Sequence, residues 1–272
     1  MTLKEKILSE NLPDDRIALF YTGQVGFIMK FRGKYILIDG YLSDIIDRNN
    51  NFAPGWIRRY PSPITGAELD FIDFVFCTHD HTDHADPETL GAISRVNKKA
   101  RYFCSEAIRD VVSSYVGSGS LVTGVKTDAL IDLGSGITFT PIPAAHEELH
   151  KDENGNYREL GFIFDFGGKK IYHSGDCCMY DGLIERVLGV DIMMVPVNGR
   201  DYFRNHEDII GCFDSYEAVR LAKAAGAKML VPMHFDMYEA NSLNPAQFVD
   251  TLYKLNPSQS FHIFSPGEEY IY

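Results

Sequence analysis

Thr78-His79-Asp80-His81-Thr82-Asp83-His84 packs three histidines and two aspartates into seven consecutive positions. Imidazole and carboxylate are the donors that borderline and hard divalent metals prefer. The stretch before it, Phe71-Ile72-Asp73-Phe74-Val75-Phe76-Cys77, reads as a buried strand. A strand running into a ligand-dense loop is a rigid way to present a metal site, and a low-complexity histidine tract lacks such ordered alternation. His79 and His81 stand two apart, so in extended backbone they point to the same side and can share one cation. Asp83 and His84 fall where the chain turns towards a helix, which Asp86-Pro87-Glu88 would cap and start. Their side chains therefore aim elsewhere and can serve a second cation. The segment closes neither site alone, so further donors must come from distant parts of the chain.

Three candidates recur in one kind of place, just past the C-terminal end of an apolar run. His146 follows Ile137-Thr138-Phe139-Thr140-Pro141-Ile142-Pro143, Asp176 ends Lys170-Ile171-Tyr172-His173-Ser174-Gly175-Asp176, and His234 ends Lys228-Met229-Leu230-Val231-Pro232-Met233-His234. A lone histidine at a strand end is usually structural. Three such ends together with the dense motif point to one metal centre.

In this order His79-x-His81-x-Asp83-His84, His146, Asp176 and His234 resemble the ligand pattern of the metallo-β-lactamase superfamily, over nearly the whole chain. The nearest likeness is to the L-ascorbate 6-phosphate lactonase-like branch of metal-dependent hydrolases. It rests on Gly26-Phe27-Ile28-Met29 leading to Ile36-Leu37-Ile38-Asp39-Gly40, on Asn198-Gly199-Arg200-Asp201-Tyr202-Phe203-Arg204, and on Val231-Pro232-Met233-His234-Phe235-Asp236. Periodicity alone gives only an α/β fold; the resemblance implies a four-layer αββα sandwich, with residues 1–272 forming a single hydrolase domain. It also implies a role for each ligand. One metal takes His79, His81 and His146, the other takes Asp83, His84 and His234, and Asp176 bridges them. Two cations ~3.5–4 Å apart activate a shared water for attack on a carbonyl or phosphoryl centre, and Asp83 accepts or relays the proton. The donor set suits Zn2+ or Mn2+, and the lactonase-like branch is associated with manganese.

The function implied is hydrolysis of a small anionic ester or lactone, such as a phosphorylated sugar acid lactone. A phosphodiesterase or phospholipase-type hydrolase is the alternative within enzymes. From a different class come a non-hydrolytic metal-binding module and a redox di-iron protein, the latter expected to carry Glu in place of His81. No serine or cysteine nucleophile is needed, and no G-x-S-x-G elbow is present.

Two loops invite a substrate reading. Asn198–Asn205 carries Arg200, Asp201, Tyr202 and Arg204 after the strand-like Ile192–Val197, so it is expected to open on the metal face and anchor the anionic end of a substrate. Asn49–Thr65 holds the only tryptophan, Trp56, with Arg58, Arg59 and Tyr60. An aromatic platform beside guanidiniums suits a phosphorylated ligand, although a tryptophan packed onto the body of the protein accounts for it equally well. His206 is expected to be a polar loop residue, His150 exposed, His173 a packing residue near Asp176, and His262 structural.

The 45% hydrophobic content is ample for a core. No apolar run approaches the ~20 residues that span a bilayer, and Met1–Leu8 is charged from its fourth residue, unlike a signal peptide. The expected location is the cytoplasm, without membrane association. Five cysteines, odd in number and without a C-x-x-C pair, fit a reduced protein, and Cys177 reads as a packing residue. A net charge of -12 repels nucleic acid. Assembly of identical chains is compatible with the sequence but not required by it. Helices are expected over 2–10, 87–98, 105–116, 180–188, 214–226 and 245–254, with a hairpin over 159–174 turning at Gly167-Gly168.

Overall fold

The computed structural model describes residues 1–117 and 121–272. Strands β1 (Ala18–Gly23), β2 (Gly26–Phe31), β3 (Lys34–Ile38), β4 (Phe74–Phe76), β5 (Arg101–Ser105) and β6 (Val122–Val125) build one sheet. A second sheet holds β7 (Ile131–Gly134), β8 (Ile137–Pro143), β9 (Leu160–Phe166), β10 (Lys169–His173), β11 (Ile192–Pro196), β12 (Met229–Met233) and β13 (Ser260–Phe261). The final strand, β14 (Glu269–Ile271), returns to the first sheet beside β1. Each sheet is a meander at one end and parallel at the other. β1–β3 are antiparallel and β3–β6 parallel; β7–β10 are antiparallel and β10–β13 parallel.

Helices cover the outer faces, as parallel strands require. In chain order the helices are α1 (Leu3–Ser9), α2 (Ile45–Asn49), α3 (Pro87–Val96), α4 (Arg109–Val116), α5 (Leu183–Arg186), α6 (Tyr202–His206), α7 (Ser215–Ala225) and α8 (Pro245–Leu255), of which α2 and α6 sit in loops past the strand ends and not on these faces. Leu3 and Ile7 of α1, Leu90 and Ile93 of α3, and Val112 and Val116 of α4 pack on the outside of the first sheet. Leu183 of α5, Ala218 and Ala222 of α7, and Phe248 and Leu252 of α8 do the same for the second. The period-2 alternation of the strands sorts the rest. Leu19 and Tyr21 of β1 face inward while Ala18 and Phe20 face the helices, and Ile192 and Met194 of β11 face inward while Met193 and Val195 face out. This is the αββα sandwich.

Between the sheets lies an aromatic core. Phe76 stacks on Phe103 at 5.0 Å and meets Phe139 and Phe164 edge-on at 4.9 Å. Such pairs add ~0.5–1.5 kcal/mol each beyond the area they bury, and here they clamp the two sheets together directly beneath the histidine motif.

Several boundaries differ from expectation. The strand before the motif is only Phe74–Phe76, because the Asp73 carboxylate accepts the Tyr35 amide and pairs with Lys34, ending the ladder. The 180–188 helix is the single turn Leu183–Arg186, since Gly182 precedes it in the left-handed region at φ 93°. The segment after β11 is not wholly loop: Asp201 caps the short helix α6 by accepting the Phe203 and Arg204 amides. Helix α3 starts as its sequence requires, with Pro87 at its first turn and Asp86 accepting the Glu88 amide.

Candidate metal centre

The ends of β4, β8, β10 and β12 meet along one edge of the sandwich, and each delivers a donor there. Past β4, the tight turn at His81, whose carbonyl accepts the His84 and Ala85 amides, brings the His84 ring back beside that of His79, with centroids 4.0 Å apart. The ring nitrogens of His79, His81 and His146 gather within 4.8 Å of one another, and so do the donor atoms of Asp83, His84 and His234. Asp176 stands between the groups. Its Oδ1 lies 3.4 Å from His84 Nε2, while its Oδ2 lies 3.7 Å from His146 Nε2 and 3.3 Å from His234 Nε2. The structure thus brings together all seven donors read from the sequence, three of them from the second sheet.

Several of these atoms lack partners. His79 Nε2, His84 Nε2 and Asp176 Oδ1 are buried and make no hydrogen bond. His84 Nε2 and Asp176 Oδ1 face each other only at 3.4 Å, and His79 Nε2 has no partner. A buried polar atom left unsatisfied costs ~1–3 kcal/mol, and a divalent cation between these donors would satisfy them. The donor set fits such an ion.

The supporting contacts aim the rings. Asp39 accepts His84 Nδ1 at 2.8 Å and also the amide and hydroxyl of Thr78, which leaves His84 Nε2 facing the centre. The Gly211 carbonyl lies 3.3 Å from His146 Nδ1 and turns His146 Nε2 inward in the same way. Gln24 Nε2 donates to Asp83 Oδ2 at 2.9 Å. Gln24, Asp39 and His234 all have positive φ (60°, 46° and 60°), and the His234 amide donates to the Gln24 carbonyl at 2.7 Å. Strained backbone is characteristic of functional sites. Gly175, at φ 60°, is needed because a Cβ there would meet Thr78 Cβ at 2.7 Å across the gap between the sheets.

Electrostatics divides the histidines into two kinds. Burial, aided by the neighbouring imidazoles, holds His79 well below its ordinary pKa, and burial lowers His146 to about 4. Burial also opposes charge on His84 and His234, but nearby carboxylates outweigh it. Asp176, Asp83 and Asp39 hold His84 well above its usual range, and Asp176 and Asp83 raise His234 to about 10. Burial disfavours ionised Asp176, yet His234 and His84 keep it well below the ordinary carboxylate range.

A cavity of about 210 Å3 opens over the centre. His81, Asp83, His146, Asp176 and His234 form its floor, with Gln24, Trp56, Ile209, Ile210 and Tyr238 in the walls and Glu207 and Asp208 at the rim. Trp56 packs on Tyr238 at 5.8 Å between ring centroids, and Tyr238 is pinned by Tyr41 and the buried Asp47.

The arginines expected to bind substrate do not line this cavity. Arg200 is spent on Glu217, at 2.8 and 2.7 Å, and on the Cys212 carbonyl. Arg204 donates to the Asn198 and Ser242 carbonyls. Asp201 caps α6, and Tyr202 is exposed, stacked on His206. Arg58 donates to the Ser43 carbonyl and Arg59 to the Ser242 hydroxyl, so of that loop the tryptophan, not the guanidiniums, faces the centre.

His173 is buried and bonded to the Val25 carbonyl at 2.8 Å. His150 is exposed beside Glu159, and His262 pairs with Glu268. Cys177 packs in the outer core of the second sheet. Sequence reasoning missed Gln24, Asp39 as the aimer of His84, the Ile209-Ile210 wall, and Cys212, whose donor atom groups with those of His146 and Asp176. Only Asp39 had a usable signal, an acid at a strand end before Gly40.

Residues 34–235 match the family model described as the beta-lactamase superfamily domain. A metal-dependent hydrolase of Caldivirga maquilingensis is 26% identical over 260 residues, covering 92% of this chain and 96% of that one. Among solved structures, Igni18, a metallo hydrolase from Ignicoccus hospitalis, superposes with a TM-score of 0.70 at 19% identity, covering 94% of this chain and 98% of its own. CmlA, a diiron β-hydroxylase from Streptomyces venezuelae, gives 0.68 at 15% identity, covering 97% of this chain and 55% of that one. The two solved structures share the fold.

Proposed function

This chain belongs to the beta-lactamase superfamily domain family, and from that premise we propose that it is a metal-dependent hydrolase of a small ester or lactone. The observation that carries the reading is the convergence of seven donors from both sheets, five of them on the cavity floor, with His79 Nε2, His84 Nε2 and Asp176 Oδ1 buried and without a hydrogen bond. His79, His81 and His146 would hold one divalent cation and Asp83, His84 and His234 a second, with Asp176 shared between them. When bound, such cations supply Lewis acidity and an acidified water.

The chain's own residues do the rest. Asp39 and the Gly211 carbonyl fix the imidazole tautomers, a support typical of metal sites. Asp83 reaches the cavity, and the Gln24 amide steadies its Oδ2, so it is suited to take up or pass on a proton. Trp56, Ile209, Ile210 and Tyr238 give the substrate an apolar wall that keeps bulk water from the reacting group.

The phosphorylated sugar acid lactone expected from the sequence loses its anchor, because Arg200 and Arg204 are engaged elsewhere and no Lys or Arg lines the cavity among the described residues. The substrate class therefore rests on the carbonyl that the centre attacks, with the apolar wall holding its body. The di-iron reading is disfavoured by the imidazole of His81, which sits in the first donor group.

The test is elemental analysis of protein purified without chelator, followed by a hydrolysis screen of small esters, lactones, phosphodiesters and β-lactams. Metal content near two per chain with ester or lactone turnover is expected. No metal uptake even after loading with zinc or manganese would end the reading, and turnover of phosphodiesters alone would replace it with the phosphodiesterase alternative.

A further inference from the structure

Cys212 is fully buried. Its sulfur, a ring nitrogen of His146 and a carboxylate oxygen of Asp176 lie within 4.8 Å of one another. The other cysteines, Cys77, Cys104, Cys177 and Cys178, are buried too, yet none joins a potential ligand group among the described residues. Asp176, the buried carboxylate of this group, has one oxygen, Oδ1, that makes no hydrogen bond.

The position of this thiol is fixed by the element that aims His146. The Gly211 carbonyl faces His146 Nδ1, and the Gly211 amide donates to Glu147 Oε1 at 3.0 Å. Arg200 donates to the Cys212 carbonyl at 2.9 Å while its guanidinium is held by Glu217. Residue 211 must be glycine, since a Cβ there would meet Arg200 Cβ at 2.1 Å. Gly211 and Cys212 are thus held by Glu147 and Arg200 while Gly211 faces His146.

We propose that Cys212 is a sulfur ligand of the metal centre, on its His146–Asp176 side, and that this donor selects zinc over manganese. The proposal rests on reading the seven-donor cluster as a metal centre. As the metal–sulfur bond forms, the S–H bond breaks and the proton passes to solvent; no electron is transferred. Thiolate is a soft donor that suits zinc and not manganese. The competing reading is a small packing thiol that touches the ligands without binding.

Cobalt separates them. The full chain, stripped of metal and reloaded with Co2+, should show visible ligand-field bands together with a near-ultraviolet thiolate-to-cobalt charge-transfer band. Cys212→Ser should keep the first and lose the second, and Cys104→Ser, in the outer core of the first sheet, should keep both. Cys212→Ser should also weaken zinc binding more than manganese binding. X-ray absorption on the zinc-loaded natural chain needs no variant and should find a sulfur scatterer at ~2.3 Å. Visible bands without the near-ultraviolet band, a band that survives Cys212→Ser, or a zinc shell of nitrogen and oxygen alone would overturn the proposal while leaving the metal centre standing. Failure to take up cobalt at all would overturn both.

Discussion

Asp176 presents one carboxylate oxygen to His84 and the other to His146 and His234, so with the two cations proposed above its removal would leave them exposed to each other. Asp176→Ala is expected to lose at least one metal per chain and most turnover. His173→Ala, two strand positions from the Gly175 turn and bonded to the Val25 carbonyl, should lose ~10–100-fold at most. Metal content and kcat measured side by side check this, and equal, mild effects would show that Asp176 does not bridge. Arg200 is the residue whose meaning changed most between sequence and structure. Its pairing with Glu217 and the Cys212 carbonyl predicts that Arg200→Ala lowers kcat/KM for a phosphorylated and an uncharged lactone by the same factor. A selective loss on the phosphorylated one would restore the anion-anchor role. The histidines make a further prediction about the metal-free protein. With His234 raised to about 10 and His84 held above its usual range by the same carboxylates, both are expected to carry protons at neutral pH in the metal-free protein. Metal must displace those protons, so affinity should rise with pH towards about 10 and fall as the solution is acidified. Calorimetric zinc titration in buffers of different ionisation enthalpy reads the protons released. A heat independent of buffer would contradict this assignment.

At the scale of elements, the site depends on the turns more than on the strands. The motif loop could be read from its spacing because the two-residue period of extended chain and the Asp86-Pro87 helix start both act locally. What aims the ligands could not be read, because those contacts join residues far apart in sequence: Asp39 with His84, Gln24 with Asp83, Gly211 with His146. The expected substrate loop failed for a related reason. Its arginines suit a substrate by residue type, but the Asn198 and Ser242 carbonyls hold Arg204 and Glu217 of α7 holds Arg200. The β3 turn offers a direct test of this level. Asp39 holds His84 and Thr78 together at the end of β3, so Asp39→Asn should weaken metal binding ~10–100-fold with the fold retained. Competition with a chelator of known affinity measures it, and unchanged affinity would mean that the strand ends alone orient the ring.

Across the whole molecule, the architecture follows from alternation that the sequence displays plainly: Leu19 and Tyr21 against Ala18 and Phe20, Ile192 and Met194 against Met193 and Val195. Which sheet each run would join was not visible, because β14 returns to the first sheet only after the second is complete. That long-range closure has an energetic consequence. His79, His81, Asp83 and His84 hang from the first sheet, while His146, Asp176 and His234 hang from the second. Cations held by these donors would tie the sheets at one edge, while the Phe76 cluster ties them beneath. A ligand that binds only the folded state stabilises it by ~2.7 kcal/mol at a hundredfold excess over Kd. For a chain of this size ~1 kcal/mol moves Tm by roughly 2–4 °C. Removing one such ion should therefore lower Tm by roughly 5–10 °C and removing two by more, and restored zinc should reverse the loss. Asp176→Ala, whose centre is already broken, should start lower and respond much less to the chelator. If the natural chain keeps its Tm through complete metal removal, the cations contribute nothing to joining the sheets, and the aromatic core alone holds the sandwich closed.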